Sequence, residues 1–414
     1  MSDKPVSSLS STLRQHKLAL GLVLGSAAIS AFLYIAKKRR KRQLVEIEGD
    51  GETGRMEGEA LRERAAAVGS VKVLLKLNLR ENRYLGCCRC TFLLKSPQSC
   101  LNIDFAGYKI LEFRLNHKSS QPIWRQGALE LGKLSMGMHE LEVRFEGKYS
   151  GNGLIKQGNA VFFPGSPGNR QLHRILPCFD QPDIKSTWEV LVTAPNHWEV
   201  LGLDYSKRID SFEGCCPDSD VVFDMEAEES SALHEFYRSA KVSPEHFSLC
   251  AGLFSILTVP KKPTVSIYSR PEVTWKIDLK GLVETVLKAL RHFKAASGVP
   301  YPFPKLDLVF LPTASSFAAS ILYLSEDLLS DIWAPISSLS ALEEVLLREL
   351  AGQWVGVVVT YRSLQEYPGW EEVARQLVRD VLGASLMSPT QANALKRALS
   401  LYKWGNCVQS ALSE

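Results

Sequence analysis

Histidine is scarce in this chain. There are eight in 414 residues and the last is His292, so the long C-terminal stretch beyond it offers no imidazole as a metal ligand. Asn-x-Ser/Thr sequons are absent, which agrees with a body that never enters the secretory lumen. A disulfide framework is missing too. The cysteines number nine, and Cys87-Cys88-Arg89-Cys90 and the adjacent Cys215-Cys216 lack the spacing of secreted scaffolds. A reducing compartment and buried free thiols are expected, ahead of a zinc knuckle from Cys87, Cys90 and the later pair. No excess of one charge pervades the chain: 49 basic against 45 acidic residues leave +4, much of it in Lys37-Lys38-Arg39-Arg40-Lys41-Arg42. Nothing in that balance argues for a nucleic-acid partner. Internal repeats are likewise absent.

What is present is a folded body of two-domain length, 45% hydrophobic and 23% charged. After a Ser-rich tail over 1–17, Leu18 to Ala36 form an uncharged apolar run. At ~1.5 Å per residue it reaches roughly 28 Å, enough to cross a hydrocarbon core. The run is long for a signal-peptide core, and a basic block follows it, so a single-pass membrane helix over 18–36 is expected, with lipid as a partner and the body on the cytosolic or matrix side. Gly21 and Gly25 stand one turn apart and suit close packing with a second membrane helix; ordinary membrane-helix composition is the alternative. Such an anchor resembles mitochondrial signal-anchors, and a cytosol-facing membrane of another organelle is the alternative location. Residues 37–69 read as a charged linker.

From Val71 the pattern becomes strand-like, as in V-K-V-L-L-K-L and in E-L-E-V-R-F, where Leu141, Val143 and Phe145 alternate with charged residues. Residues 70–262 read as an antiparallel β-sandwich domain. Past Thr264 the period lengthens: Leu282, Val283, Val286, Leu290 and Phe293 follow a helical repeat that stops at Gly298 and Pro300. Ser340 and Glu343 then make a capping box before Leu342, Leu346, Leu350 and Trp354, which predicts a buried amphipathic helix from Ser340. The fold class expected is α+β, with a second domain over 263–414.

Three stretches carry a family resemblance. Arg348-Glu349-Leu350-Ala351-Gly352-Gln353-Trp354 resembles H-E-L-A-H-Q-W, the zinc-binding helix of aminopeptidase N-like zinc aminopeptidases (gluzincins), with both histidines replaced. Eighteen residues lie between Gly352 and Glu371, the spacing at which that family places its third ligand. Leu176-Pro177-Cys178-Phe179-Asp180-Gln181-Pro182-Asp183-Ile184-Lys185 matches the F-P-C-F-D-E/Q-P-D-x-K signature of the amino-terminal saddle. Val299-Pro300-Tyr301-Pro302-Phe303-Pro304-Lys305-Leu306-Asp307-Leu308-Val309 matches G-I-P-Y-P-x-P-K-L-D-L-V. The resemblance spans about 70 to 380 and implies a β-sandwich saddle followed by a C-terminally truncated thermolysin-like domain.

It also implies a lost metal site. The family's two histidines lie on one helix face at i and i+4, and here those positions are Arg348 and Gly352; a guanidinium stays protonated and glycine has no side chain. Only Glu371 of the three ligand positions can bind a metal, and rescue by His173, His234 or His246 is not expected. Glu349 matches the family's general base, which has little to act on without a metal to acidify water. Ser315-Ser316-Phe317-Ala318-Ala319 stands where the family has the amine-binding G-A-M-E-N strand, a second amine-holding glutamate is lost in Gly165 to Asn169, and Tyr402 is a poor substitute for the transition-state tyrosine. Glu349 and Glu371 are therefore vestigial, and no catalytic residue, cofactor, metal or small-molecule substrate is expected. Arg348 is expected to pair with Glu371 across the vacated position. Histidines restored at 348 and 352 would be expected to take up zinc with Glu371. The resulting expectation is an inactive, membrane-anchored structural or adaptor subunit of a larger complex. An active zinc aminopeptidase with other ligands and a peptide-binding receptor using the cleft are the alternatives.

Overall fold

Val71, Val73 and Leu75 alternate with Lys72 and Lys76, and the strand they build, Ala66–Leu77, turns the three apolar side chains into the main core. The computed structural model describes residues 66–78, 81–165, 167–210, 231–260, 263–333, 341–361 and 367–381. The segment 18–36 with Gly21 and Gly25, residues 37–65 of the expected linker, Cys215, Cys216, Ser340 and Tyr402 lie outside them; the linker's last residues, 66–69, are corrected to the start of the first strand, where they pair with Arg83–Leu94. Among the described residues no helix is long and apolar enough to cross a membrane.

The described residues are a mixed α/β body made mostly of strands. Ala66–Leu77 sits in the middle of an eight-stranded sheet, between Arg83–Leu94 and Thr187–Pro195. Its other face carries a small cluster of Leu74, Cys87, Leu191 and Leu233. The expected all-antiparallel pairing is corrected at one place: Ala66–Leu77 runs parallel to Thr187–Pro195, from Ser70 opposite Thr187 to Lys76 opposite Thr193. Parallel neighbours need a long crossover, and here more than a hundred residues of strand and loop supply it. Cys87, Cys88, Cys90, Cys100, Cys178 and Cys250 are free thiols, five of them buried; burial pushes Cys87 up to about 11 and Cys90 to about 12.

A five-stranded sheet follows, ordered Ser255–Val259, Thr264–Ser269, Lys305–Leu311, Ile321–Ser325 and the edge strand Ser316–Ala318. Its central strand, Lys305–Leu311, is buried at every position, and the two charged side chains it carries neutralise one another: Lys305 Nζ lies 2.6 Å from Asp307 Oδ2. Helix α1, Leu279–Ser297, has the boundaries its pattern predicts. Asp278 accepts from Gly281 N at 3.1 Å at its start, and Gly298 ends it at φ 76° in the left-handed region.

Helix α2 is shorter than its apolar stripe suggests. It covers Ala341–Ala351, and from Gly352 the backbone passes into turns in which Trp354 N bonds to Ala351 O rather than continuing the helix. Glycine at 352 and 356 weakens the helix there, and the Trp354 indole finds its own acceptor in Val299 O at 3.0 Å. Helix α3, Tyr367–Val381, packs beside α2 and carries Glu371.

The Leu176–Lys185 signature acts as a joint between the sheets and the helices. Asp180 accepts from His173 N at 3.1 Å and from His173 Nδ1 at 2.7 Å, while Lys185 Nζ reaches Val357 O at 2.9 Å and Val358 O at 3.0 Å. Burial lowers Lys185 to about 7, with Glu245 pulling the other way. The folded state therefore sheds this proton before the unfolded chain does, so unfolding takes up a proton between about pH 7 and the ordinary lysine range. Stability should rise with pH from 7 to about 9 relative to a Lys185→Met variant. Parallel urea-midpoint profiles for the two proteins would refute this.

Candidate functional site

The turn after α2, helix α3 and the edge strand Ser316–Ala318 converge on a cavity of about 300 Å³. Arg348, Glu349, Gly352 and Glu371 all line it, so the spacing read from the sequence does bring the four positions to one place. Its aromatic walls are Phe317, Tyr361, Tyr367 and Trp370, none of which the sequence pattern assigns a role there.

The charges pair differently from expectation. Arg348 directs Nε and Nη2 onto Glu349 Oε1, at 3.1 and 2.7 Å, and Glu371 instead meets Arg375 one turn along α3 at 3.4 Å. Burial depth explains the choice. Glu349 is 5% exposed, whereas the Glu371 side chain is 41% exposed and solvated, so the arginine goes where a bare carboxylate would be most costly. Burial still pushes the Glu349 carboxyl above the usual carboxylate range, against the pull of Arg348, and the field of Glu371 adds to the rise. For Arg348 burial works downward, but the bonds to Glu349 and the field of Glu371 outweigh it and raise the group.

Gly352 lies under the Phe317 ring. A Cβ built on Gly352 would stand 2.5 Å from Phe317 Cζ and 2.6 Å from both Cε atoms. On the sheet side, Glu245 is buried and accepts from the Tyr361 hydroxyl; Tyr361 Oη in turn accepts from Gly168 N at 2.7 Å. His246 Nε2 is 3.3 Å from the other Glu245 oxygen, and its ring stacks on Phe317 with centroids 5.4 Å apart. His173 is taken by Asp180, and burial lowers His234 to about 4. No sequence signal marks Glu245 and Tyr361, which are 116 residues apart.

A zinc ion with the gluzincin ligand set does not fit these residues. Of the three positions only Glu371 offers a donor, Arg348 brings a positive charge, and the space above Gly352 belongs to an aromatic ring. Among the described residues no three His, Cys, Asp or Glu side chains gather as a metal site. The strand position of the amine-binding glutamate holds Ala318, and Ser315, Ser316 and Phe317 before it line the cavity; none of these is acidic.

No protein-family model matches the chain. Curated proteins do. Probable aminopeptidase 1 of Sulfurisphaera tokodaii is 22% identical over 326 residues, spanning 70% of this chain and 38% of the relative. Probable aminopeptidase 1 of Saccharolobus solfataricus is 24% identical over 332 residues, with the same two shares. Endoplasmic reticulum aminopeptidase 1 of Mus musculus is 26% identical over 197 residues, 45% of this chain and 19% of that one. The chain is related to aminopeptidases. It spans less than two fifths of the length of the archaeal relatives it matches.

Proposed function

We propose that this aminopeptidase relative is catalytically inactive and serves as a structural or adaptor subunit of a membrane complex, held by residues 18–36. One observation carries the reading: Arg348 stands in the first ligand position and is bonded to Glu349, the residue matching the general base. A guanidinium in that place opposes any divalent cation and occupies the carboxylate that would activate water. The apolar run, the basic block after it and Gly21 with Gly25 support the membrane part of the proposal, with a mitochondrial membrane favoured over another cytosol-facing one.

Full-length protein purified in detergent should contain far less than one zinc per chain and should not turn over aminoacyl-amides, while co-purifying with partners in fixed proportion. Stoichiometric zinc together with turnover would overturn the reading. Deletion of residues 1–36 should release the body from carbonate-washed membranes; full-length protein found in the carbonate supernatant would remove the anchor. The aromatic walls of the 300 Å³ cavity favour a second reading, a receptor that binds peptides without cleaving them. Peptide-library binding abolished by filling the cavity would select it over a scaffold.

A further inference from the structure

We propose that Phe317 and Gly352 form a matched pair that closes the metal position, so that restoring the two histidines alone would leave the protein metal-free. The inference uses the placement of 348, 352 and 371 as ligand positions and is independent of the adaptor role.

Glycine at 352 is demanded by space, because its φ lies outside the left-handed range that would require it for backbone reasons. The obstructing atoms are the far end of the Phe317 ring, at 2.5 to 2.6 Å from a Cβ that ordinarily keeps beyond 3.0 Å. That end of a phenylalanine yields easily only where there is room; the one open side of this ring is the cavity it lines, and its other contacts confine it. The ring is 9% exposed and stacked on His246, and a Cβ on Gly356 would again meet it at 3.2 Å.

The backbone beneath the ring is fixed from three sides. Phe317 pairs with Leu322 in the sheet. Gln353 Nε2 donates to Ala318 O at 2.8 Å, and Gln353 Oε1 accepts from Ser320 N at 3.1 Å, tying the strand to the turn that contains Gly352. Ala319 N donates to His246 O at 3.2 Å and ties it to the sheet-rich part. An imidazole at 352 would have to expel a ring that the surrounding residues hold in place. The ring is thus an intramolecular occupant of the cleft, and the expectation that two histidines suffice for zinc is revised.

The test compares detergent-purified full-length wild type, Arg348→His/Gly352→His, and the same pair with Phe317→Ala, each dialysed against zinc and measured by mass spectrometry of metal content. Wild type and the double variant should hold well under one zinc, and the triple variant about one per chain, with tetrahedral absorption after cobalt substitution. One zinc per chain in the double variant, or none in a folded triple variant, would overturn the pairing. Should the histidine variants fail to fold, Gly352→Ala carries the same question with one added carbon. Alone it should lower the melting temperature by several degrees, and adding Phe317→Ala should recover part of that loss. Additive losses in this cycle would equally overturn the proposal.

Discussion

Trp354→Ala should destabilise the protein by about 3–5 kcal/mol, the range for emptying a buried aromatic site. The side chain is fully buried, with Phe293 and Tyr301 at ring-centroid distances of 5.4 and 5.7 Å. Its indole N–H also donates to Val299 O, which Ser297 Oγ reaches too at 3.1 Å, so the truncation loses a hydrogen bond as well as opening a cavity. Trp354→Phe would keep most of the volume and lose chiefly that bond, about 1 kcal/mol. Urea unfolding of the two variants separates the contributions. A loss below about 1 kcal/mol for the alanine variant would mean that the neighbourhood collapses onto the gap, and that the tryptophan in the zinc-helix motif is not a core anchor.

Asp307→Ala should be comparably severe, about 3–5 kcal/mol, because it removes the one bonded carboxylate from a Lys305 that is 4% exposed and leaves it only the field of Asp204 and the Tyr205 ring 6.0 Å away. Burial raises the Asp307 carboxyl above its usual range although Lys305 draws it down, so the pair is a compensated liability rather than a gain. Replacing both at once, Lys305→Met with Asp307→Leu, should therefore fall close to wild type. Thermal unfolding decides it: a double replacement as damaging as the single one would show that the ion pair itself holds the central strand.

The strands and helix α1 were legible because their causes are local. Alternation places Val71, Val73 and Leu75 on one face, and Asp278 and Gly298 mark the helix ends. The convergence of Arg348, Glu349, Gly352 and Glu371 was legible through the family frame. The partner of Arg348 was not, because the choice between two glutamates rests on how deeply each is buried, which spacing does not encode. Phe317 over Gly352 is a steric relation between positions 35 apart, and Lys185 bonds to backbone carbonyls, which carry no residue identity. The turn from Gly352 also escaped the apolar stripe, since Trp354 fits an i+4 series whether or not the helix reaches it.

The parallel pairing of Ala66–Leu77 with Thr187–Pro195 sets an order on biosynthesis. A ribosome adding roughly 5–20 residues per second needs on the order of 5–20 s to make the intervening chain. Throughout that interval the middle strand of the future sheet has only its hairpin partner, Arg83–Leu94, and shows an unsatisfied edge to solvent or to other nascent chains. A holdase that covers strand edges during translation would therefore raise the yield, and substitutions that slow the emergence of Thr187–Pro195 would lower the amount of protein made without altering the finished fold.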